Sequence, residues 1–169
     1  MKWLWLPGGA LILLFLVAAV GAVLPVRHHA TRQARFRQSP QVLYTILAGP
    51  PNWRPDVKAY GSFPDRDGRK QWWEQDEHGH RIRFELVEAS PPARLAVRIA
   101  DPSLPFGGTW TFEISPAPEG ADLRITEDGE VRNVFFRFVS RFVIGHTRSI
   151  ETFFRDLGAK TGDRVTTEA

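Results

Sequence analysis

Between residues 57 and 125 the chain keeps returning to one pattern: a short run alternating apolar and polar residues, closed by a turn signal. Ile82, Phe84 and Leu86 face one way while Arg81, Arg83 and Glu85 face the other. Leu95, Val97 and Ile99 repeat the alternation, then Trp110, Phe112 and Ile114, then Leu123 and Ile125. Successive side chains of a strand leave opposite faces, so this period of two predicts half-buried strands. The breaks have hairpin chemistry: Asp65-Arg66-Asp67-Gly68, His78-Gly79, Pro91-Pro92 and Pro118-Glu119-Gly120. From about residue 133 to 159 the period lengthens. Phe135, Phe138, Val139, Phe142, His146, Ile150, Phe153 and Leu157 recur at steps of three and four, one face of a long helix. An antiparallel sheet with one apolar face needs a cover, and that helix is available. The expectation is an α+β domain of about six to seven antiparallel strands against a long C-terminal helix.

Ahead of the strand series, Ala34 and Phe36 alternate with Arg35 and Arg37 as a first strand. Ser39-Pro40 marks a helix start, with serine as N-cap and proline at the first helical position. Leu43, Ile46 and Leu47 give that helix an apolar stripe, and Gly49-Pro50-Pro51 ends it. Asn52-Trp53-Arg54 forms one further turn before Pro55.

The N-terminus differs in kind. Residues 3–24 carry no charge and residues 10–20 are apolar throughout. About 20 apolar residues of helix cross a hydrocarbon core of roughly 30 Å, and Trp3 and Trp5 suit the headgroup layer. A cleaved signal peptide is the rival, with Lys2 as its basic start and Val20-Gly21-Ala22 as a small-residue site. The reading adopted is one uncleaved transmembrane anchor over residues 1–29, a domain over 30–160 and a flexible tail over 161–169. Lys2 precedes the span, whereas Arg27, Arg32, Arg35 and Arg37 follow it, which favours the cytoplasmic side for the domain and leaves the periplasmic side open. The net charge is only +3, compatible with an anionic membrane surface but without the dense basic stripe of a nucleic-acid binder. With no cysteine there is no disulfide, thiolate metal site or thiol nucleophile.

Several segments resemble the START-like SRPBCC superfamily. They are Ser39-Pro40-Gln41-Val42-Leu43 with Leu47 and Trp53-Arg54-Pro55-Asp56-Val57, then Gly108-Thr109-Trp110-Thr111-Phe112-Glu113-Ile114, Pro118-Glu119-Gly120 and Ile125-Thr126-Glu127-Asp128-Gly129-Glu130-Val131. Within it, the chain looks most like the polyketide cyclase/dehydrase branch of small bacterial proteins, over residues 30–160. It departs from the family pattern at Ala48-Gly49-Pro50-Pro51, where members often carry an aspartate. The resemblance implies a helix-grip fold, a curved antiparallel sheet wrapped around the long helix with an apolar cavity between them. Members bind lipids, isoprenoids, polyketides or other apolar ligands, and a minority are enzymes.

Twelve Phe, six Trp and two Tyr supply walls for such a cavity. The candidate ligand-binding residues are Trp72, Phe84, Val97, Trp110, Phe112, Phe138, Phe142 and His146, with Trp73 and Phe135 as further rings. A filled aromatic core is the competing reading. The preferred function is a membrane-anchored protein that binds an apolar small molecule or lipid, with no cofactor. A cyclase or dehydrase would need His146 with Glu127 or Arg98 as an acid/base pair. An accessory subunit would use the anchor to dock on a membrane-protein partner. His78 and His80 flank a turn glycine without a third metal ligand nearby, and no residue is assigned to a metal. His28 and His29 are read as interfacial residues after the span.

Overall fold

The structure, a computed structural model, describes residues 5–145 and 147–168. Helix α1 (Trp5–Val23) leads into strand β1 (Arg27–Phe36) and helix α2 (Pro40–Ala48). A meander follows: β2 (Ala59–Arg66), β3 (Arg69–Gln75), β4 (Arg81–Ser90), β5 (Arg94–Ile99), β6 (Phe106–Ala117) and β7 (Gly120–Val131). Helix α3 (Val134–Val139), a π-helical turn (Ser140–Ile144), helix α4 (Arg148–Thr161) and the short strand β8 (Thr167–Glu168) complete the chain. The strands make one antiparallel sheet in the order β2-β3-β4-β5-β6-β7-β1-β8.

The local chemistry accounts for the elements. Ser39 caps α2 by accepting from the Val42 amide at 3.4 Å, and Pro40 occupies the first turn. Asp67 and Gly68 both take positive φ in the β2–β3 hairpin, the conformation that the right-handed strand twist selects. Asp76 closes the β3–β4 turn, accepting from the His78 and His80 amides and pairing with the His80 ring. β1 starts earlier than the sequence suggests: Arg27, His28 and His29 are strand residues opposite Glu130, Gly129 and Asp128. At the other end, Thr167 and Glu168 pair with Ala34 and Gln33.

Directly paired residues share a face, so the register sorts the side chains. Ala30, Ala34, Phe36, Leu95, Phe112, Ile114, Leu123 and Ile125 lie on the helix side, buried with Leu43 of α2 and Ile150, Phe154 and Leu157 of α4. Fully burying each large member contributes roughly 1.5–3 kcal/mol. Helix α4 lies over β1, and α2 lies over β5 and β6. The β2–β4 wing extends beyond both.

Two expectations change. The single C-terminal helix over residues 133–159 is divided. Asn133 starts α3 by accepting from the Phe135 and Phe136 amides, and the helix widens to a π turn at Ser140. It stops at Gly145, whose φ of 81° is left-handed and whose amide bonds back to the Ser140 carbonyl. Of the two parts, α4, 14 residues long, covers the sheet, while α3 packs chiefly on α1. The second concerns the N-terminal segment. It is helical as expected, but among the described residues no helix is long and apolar enough to cross a membrane. Its unbroken apolar stretch, residues 10–20, extends about 16 Å against a hydrocarbon core of roughly 30 Å.

Candidate functional site

Five of the sequence candidates meet on the helix side of the sheet. Trp72 pairs with Phe84 across β3 and β4, and their rings stack with centroids 5.7 Å apart. Val97 pairs with Trp110 across β5 and β6, and Phe112 follows Trp110 two residues on. Phe153 of α4 descends among them. Its ring lies 5.4 Å from Trp53, 5.7 Å from Trp110 and 5.5 Å from Phe112, so the middle of the grip is filled by meshed aromatics. An empty chamber beneath the helix, as the sequence suggests, is therefore not what these four rings enclose. To one side, on the wing of β2, β3 and β4, Trp72 and Phe84 are half-buried.

The other candidates are placed elsewhere. Phe138 and Phe142 belong to α3 and the π turn; their rings touch at 5.0 Å, and the segment lies against α1. Phe135 is exposed on α3. Trp73 alternates to the outer face of the sheet, where Arg81 stacks 4.2 Å from its ring. His146 lies outside the described residues.

Two polar residues that the sequence reading passed over complete the wing. Glu74 is buried on the same face as Trp72, and both its oxygens are engaged. Trp72 Nε1 donates to Oε1 at 2.9 Å, and Arg54 Nη1 donates to Oε2 at 2.8 Å. Burial opposes the Arg54 charge, but the hydrogen bond it donates to Asp56 and the charges of Glu74 and Asp56 outweigh it and lift the guanidinium above the usual arginine range. Arg54 also approaches the Phe153 ring at 5.8 Å, tying the pair to the filled centre. A clue was present: strict alternation from Trp72 puts a carboxylate in an apolar register at residue 74, and a buried carboxylate needs a partner.

The acid/base pairings considered above rest on His146, outside the described residues, with Glu127 or Arg98 as the second member. Glu127 faces the helix side but accepts from Ser149 Oγ at 3.0 Å and lies 3.4 Å from His28 Nε2. Arg98 is on the outer face, donating to Glu85 at 2.9 Å. There Arg69 and Gln71 also hold Glu85, and the Arg69 hydrogen bond leads the effects that keep this carboxyl below the usual range. Grooves of about 430 and 270 Å³ open on this outer face, lined by Arg66, Arg69, Arg83 and Arg98 and by Phe63, Trp73 and Arg81 respectively. Among the described residues no group of three or more His, Asp or Glu is arranged to hold a metal ion.

No sequence-family model and no curated protein sequence matches the chain. Solved structures do. Protein MLL2253 from Mesorhizobium loti aligns with a TM-score of 0.59 and 18% identity over 78% of this chain and 95% of its own. Norcoclaurine synthase from Thalictrum flavum gives 0.61 and 11% over 82% and 88%. The di-domain ARO/CYC StfQ from the steffimycin biosynthetic pathway gives 0.62 and 16% over 81% of this chain and 52% of its own, so the chain spans about one of its two domains. The chain shares the fold of these structures, an antiparallel sheet gripping a C-terminal helix. At these identities the likeness establishes architecture alone, and the domain's function has to be argued from its own residues.

Proposed function

We propose that this is a membrane-attached SRPBCC domain, close to the polyketide cyclase/dehydrase branch in kind, which binds an apolar small molecule or lipid on the uncovered wing of its sheet. The observation that carries the reading is the Trp72–Phe84 stack beside the buried Glu74–Arg54 pair. An apolar platform with one fixed polar anchor beside it is the usual composition of a small-ligand site. Both Glu74 oxygens are held by donors, which suits orienting a ligand better than passing protons. The solved neighbours include a synthase and an ARO/CYC protein of a biosynthetic pathway, which supports small organic ligands as the class.

Attachment is assigned to α1. Leu11, Ile12, Leu13, Leu14, Phe15 and Leu16 are each more than half exposed. Six consecutive residues cover more than one turn, so no side of this stretch is packed by the domain. A helix apolar all round needs an apolar surrounding from elsewhere. The Lys and Arg distribution favours the cytoplasmic side for the domain.

The test is binding of a fluorescent fatty acid to the purified full chain. The double variant Trp72→Ala/Phe84→Ala is expected to weaken binding about tenfold or more, since each ring offers a large apolar contact. Arg98→Ala, on the outer face, is expected to leave it unchanged. Equal binding by both variants would overturn the assignment of the wing.

A further inference from the structure

We infer that α3 and the π turn after it form a second membrane-contact element, an amphipathic foot that enters the headgroup–acyl boundary of an anionic bilayer beside α1. This rests on the reading that α1 meets a membrane, and it adds which part of the folded domain lies against the lipid.

Three observations carry it. The first is where the apolar exposure falls. Outside α1 and Val26, the exposed large apolar residues of the domain concentrate on this one segment: Phe135, Phe136, Val139, Phe142 and Val143. An apolar patch of this kind marks an interaction surface.

The second is that the segment is tied to α1. A Cβ at Gly21 would sit 1.9 Å from the Val134 carbonyl oxygen, so the two backbones touch there. Arg137 Nη1 donates to the carbonyls of Leu24 at 3.0 Å and Ala22 at 3.4 Å, placing a cation at the negative end of α1. Whatever medium surrounds α1 is thereby brought alongside α3.

The third is charge. Residues 131–150 contain Arg132, Arg137, Arg141 and Arg148 and no Asp or Glu, a net +4 in a chain whose total is +3, so the other 149 residues sum to −1. Arg132 is paired with Glu130, and Arg137 is spent on α1. Arg141 and Arg148 are exposed and, among the described residues, have no acidic partner. Phenylalanines interleaved with unpaired arginines match a lipid surface, where rings enter the acyl boundary and guanidinium groups reach the phosphates.

The chain has no cysteine, so single-cysteine variants of the full chain can carry an environment-sensitive fluorophore. Leu13→Cys reports α1 and Phe142→Cys the foot, with Val139→Cys as a second foot position should the first variant fold poorly. Ser115→Cys is the control, about 30 Å along β6 from Phe106. The protein is reconstituted with phosphatidylcholine vesicles with or without phosphatidylglycerol, and quenching by lipid-borne nitroxide is read. Probes at 13 and 142 are expected to be quenched about twofold or more, with the one at 115 unaffected. The signal at 142 should fall without phosphatidylglycerol, or in an Arg141→Glu/Arg148→Glu background, while that at 13 holds. Quenching at 13 with both foot positions in water would overturn the foot and leave α1 attachment standing. No quenching at either 13 or the foot would overturn both, and equal quenching at 115 would overturn the foot as a defined surface.

Discussion

Helices α3 and α4 come from one continuous amphipathic pattern, yet they meet opposite fates. In α4 Ile150 and Leu157 of the stripe, with Phe154 beside them, are wholly buried on β1 and its neighbours. In α3 the phenylalanines at 135 and 136 stand exposed, and the segment lies against another helix. The stripe is equally apolar in both. What separates them is the left-handed Gly145, which ends the first helix, and the contact at Gly21, which holds it away from the sheet. Periodicity thus states that a face will be covered without stating what covers it.

The sharpest break of that comparison is a matched pair of truncations. Phe154→Ala should lower unfolding free energy by about 3–5 kcal/mol, because the fully buried ring leaves a cavity among Phe36 and its neighbours. Phe136→Ala should change it by no more than about 0.5 kcal/mol, as substitutions at exposed sites do. Urea unfolding in detergent measures both, and comparable losses would mean that α3 is a core element after all. A smaller effect is expected from Gly21→Leu, whose side chain has no room beside Val134. It should cost about 1–3 kcal/mol locally and raise hydrogen exchange in α3, with α4 protection unchanged. Coupled loss of protection in α4 would show the two helices to be one cooperative unit.

The smallest effect is a pH dependence arising from carboxylates on the outer face of the sheet, away from α4. The Arg69 hydrogen bond keeps Glu85 below its ordinary value, and the Arg35 hydrogen bond does the same for Asp122. A carboxyl depressed in the folded state contributes stability that is complete above its unfolded pKa, about 4 for these groups, and is lost as pH falls through the lower folded value. Stability should therefore drop below about pH 4, less steeply in Glu85→Gln. Arg141→Gln, by contrast, should leave the acid limb unaltered. Thermal melts across that range check the sign, and a Glu85→Gln profile parallel to the parent would refute the assignment.

Much of the sheet was legible beforehand. Alternation located β4 to β7, and turn chemistry located the β2–β3 hairpin, because both are local and each residue's neighbours impose them. The start of β1 was missed, since Arg27-His28-His29 carries no apolar alternation of its own and is fixed by pairing with β7, about 100 residues away. The wing site was half legible. Trp72 and Phe84 announce themselves as large rings, whereas Glu74 makes sense only once Arg54, 20 residues earlier, reaches it. Whether the centre is filled or hollow was left open beforehand for the same reason: that Phe153 sits among Trp53, Trp110 and Phe112 is a fact of packing, which no repeat encodes.

The two-residue strand β8 has a consequence out of proportion to its size. Without it β1 would be the sheet's outermost strand on that side, with bare amides and carbonyls open to any passing extended segment. Pairing Thr167 and Glu168 with Ala34 and Gln33 caps that border at its midpoint and interrupts the run of free backbone groups. A stopper this short blocks templated strand addition while adding almost nothing to the fold's own stability, so its loss would be felt first as self-association at high concentration, not as unfolding.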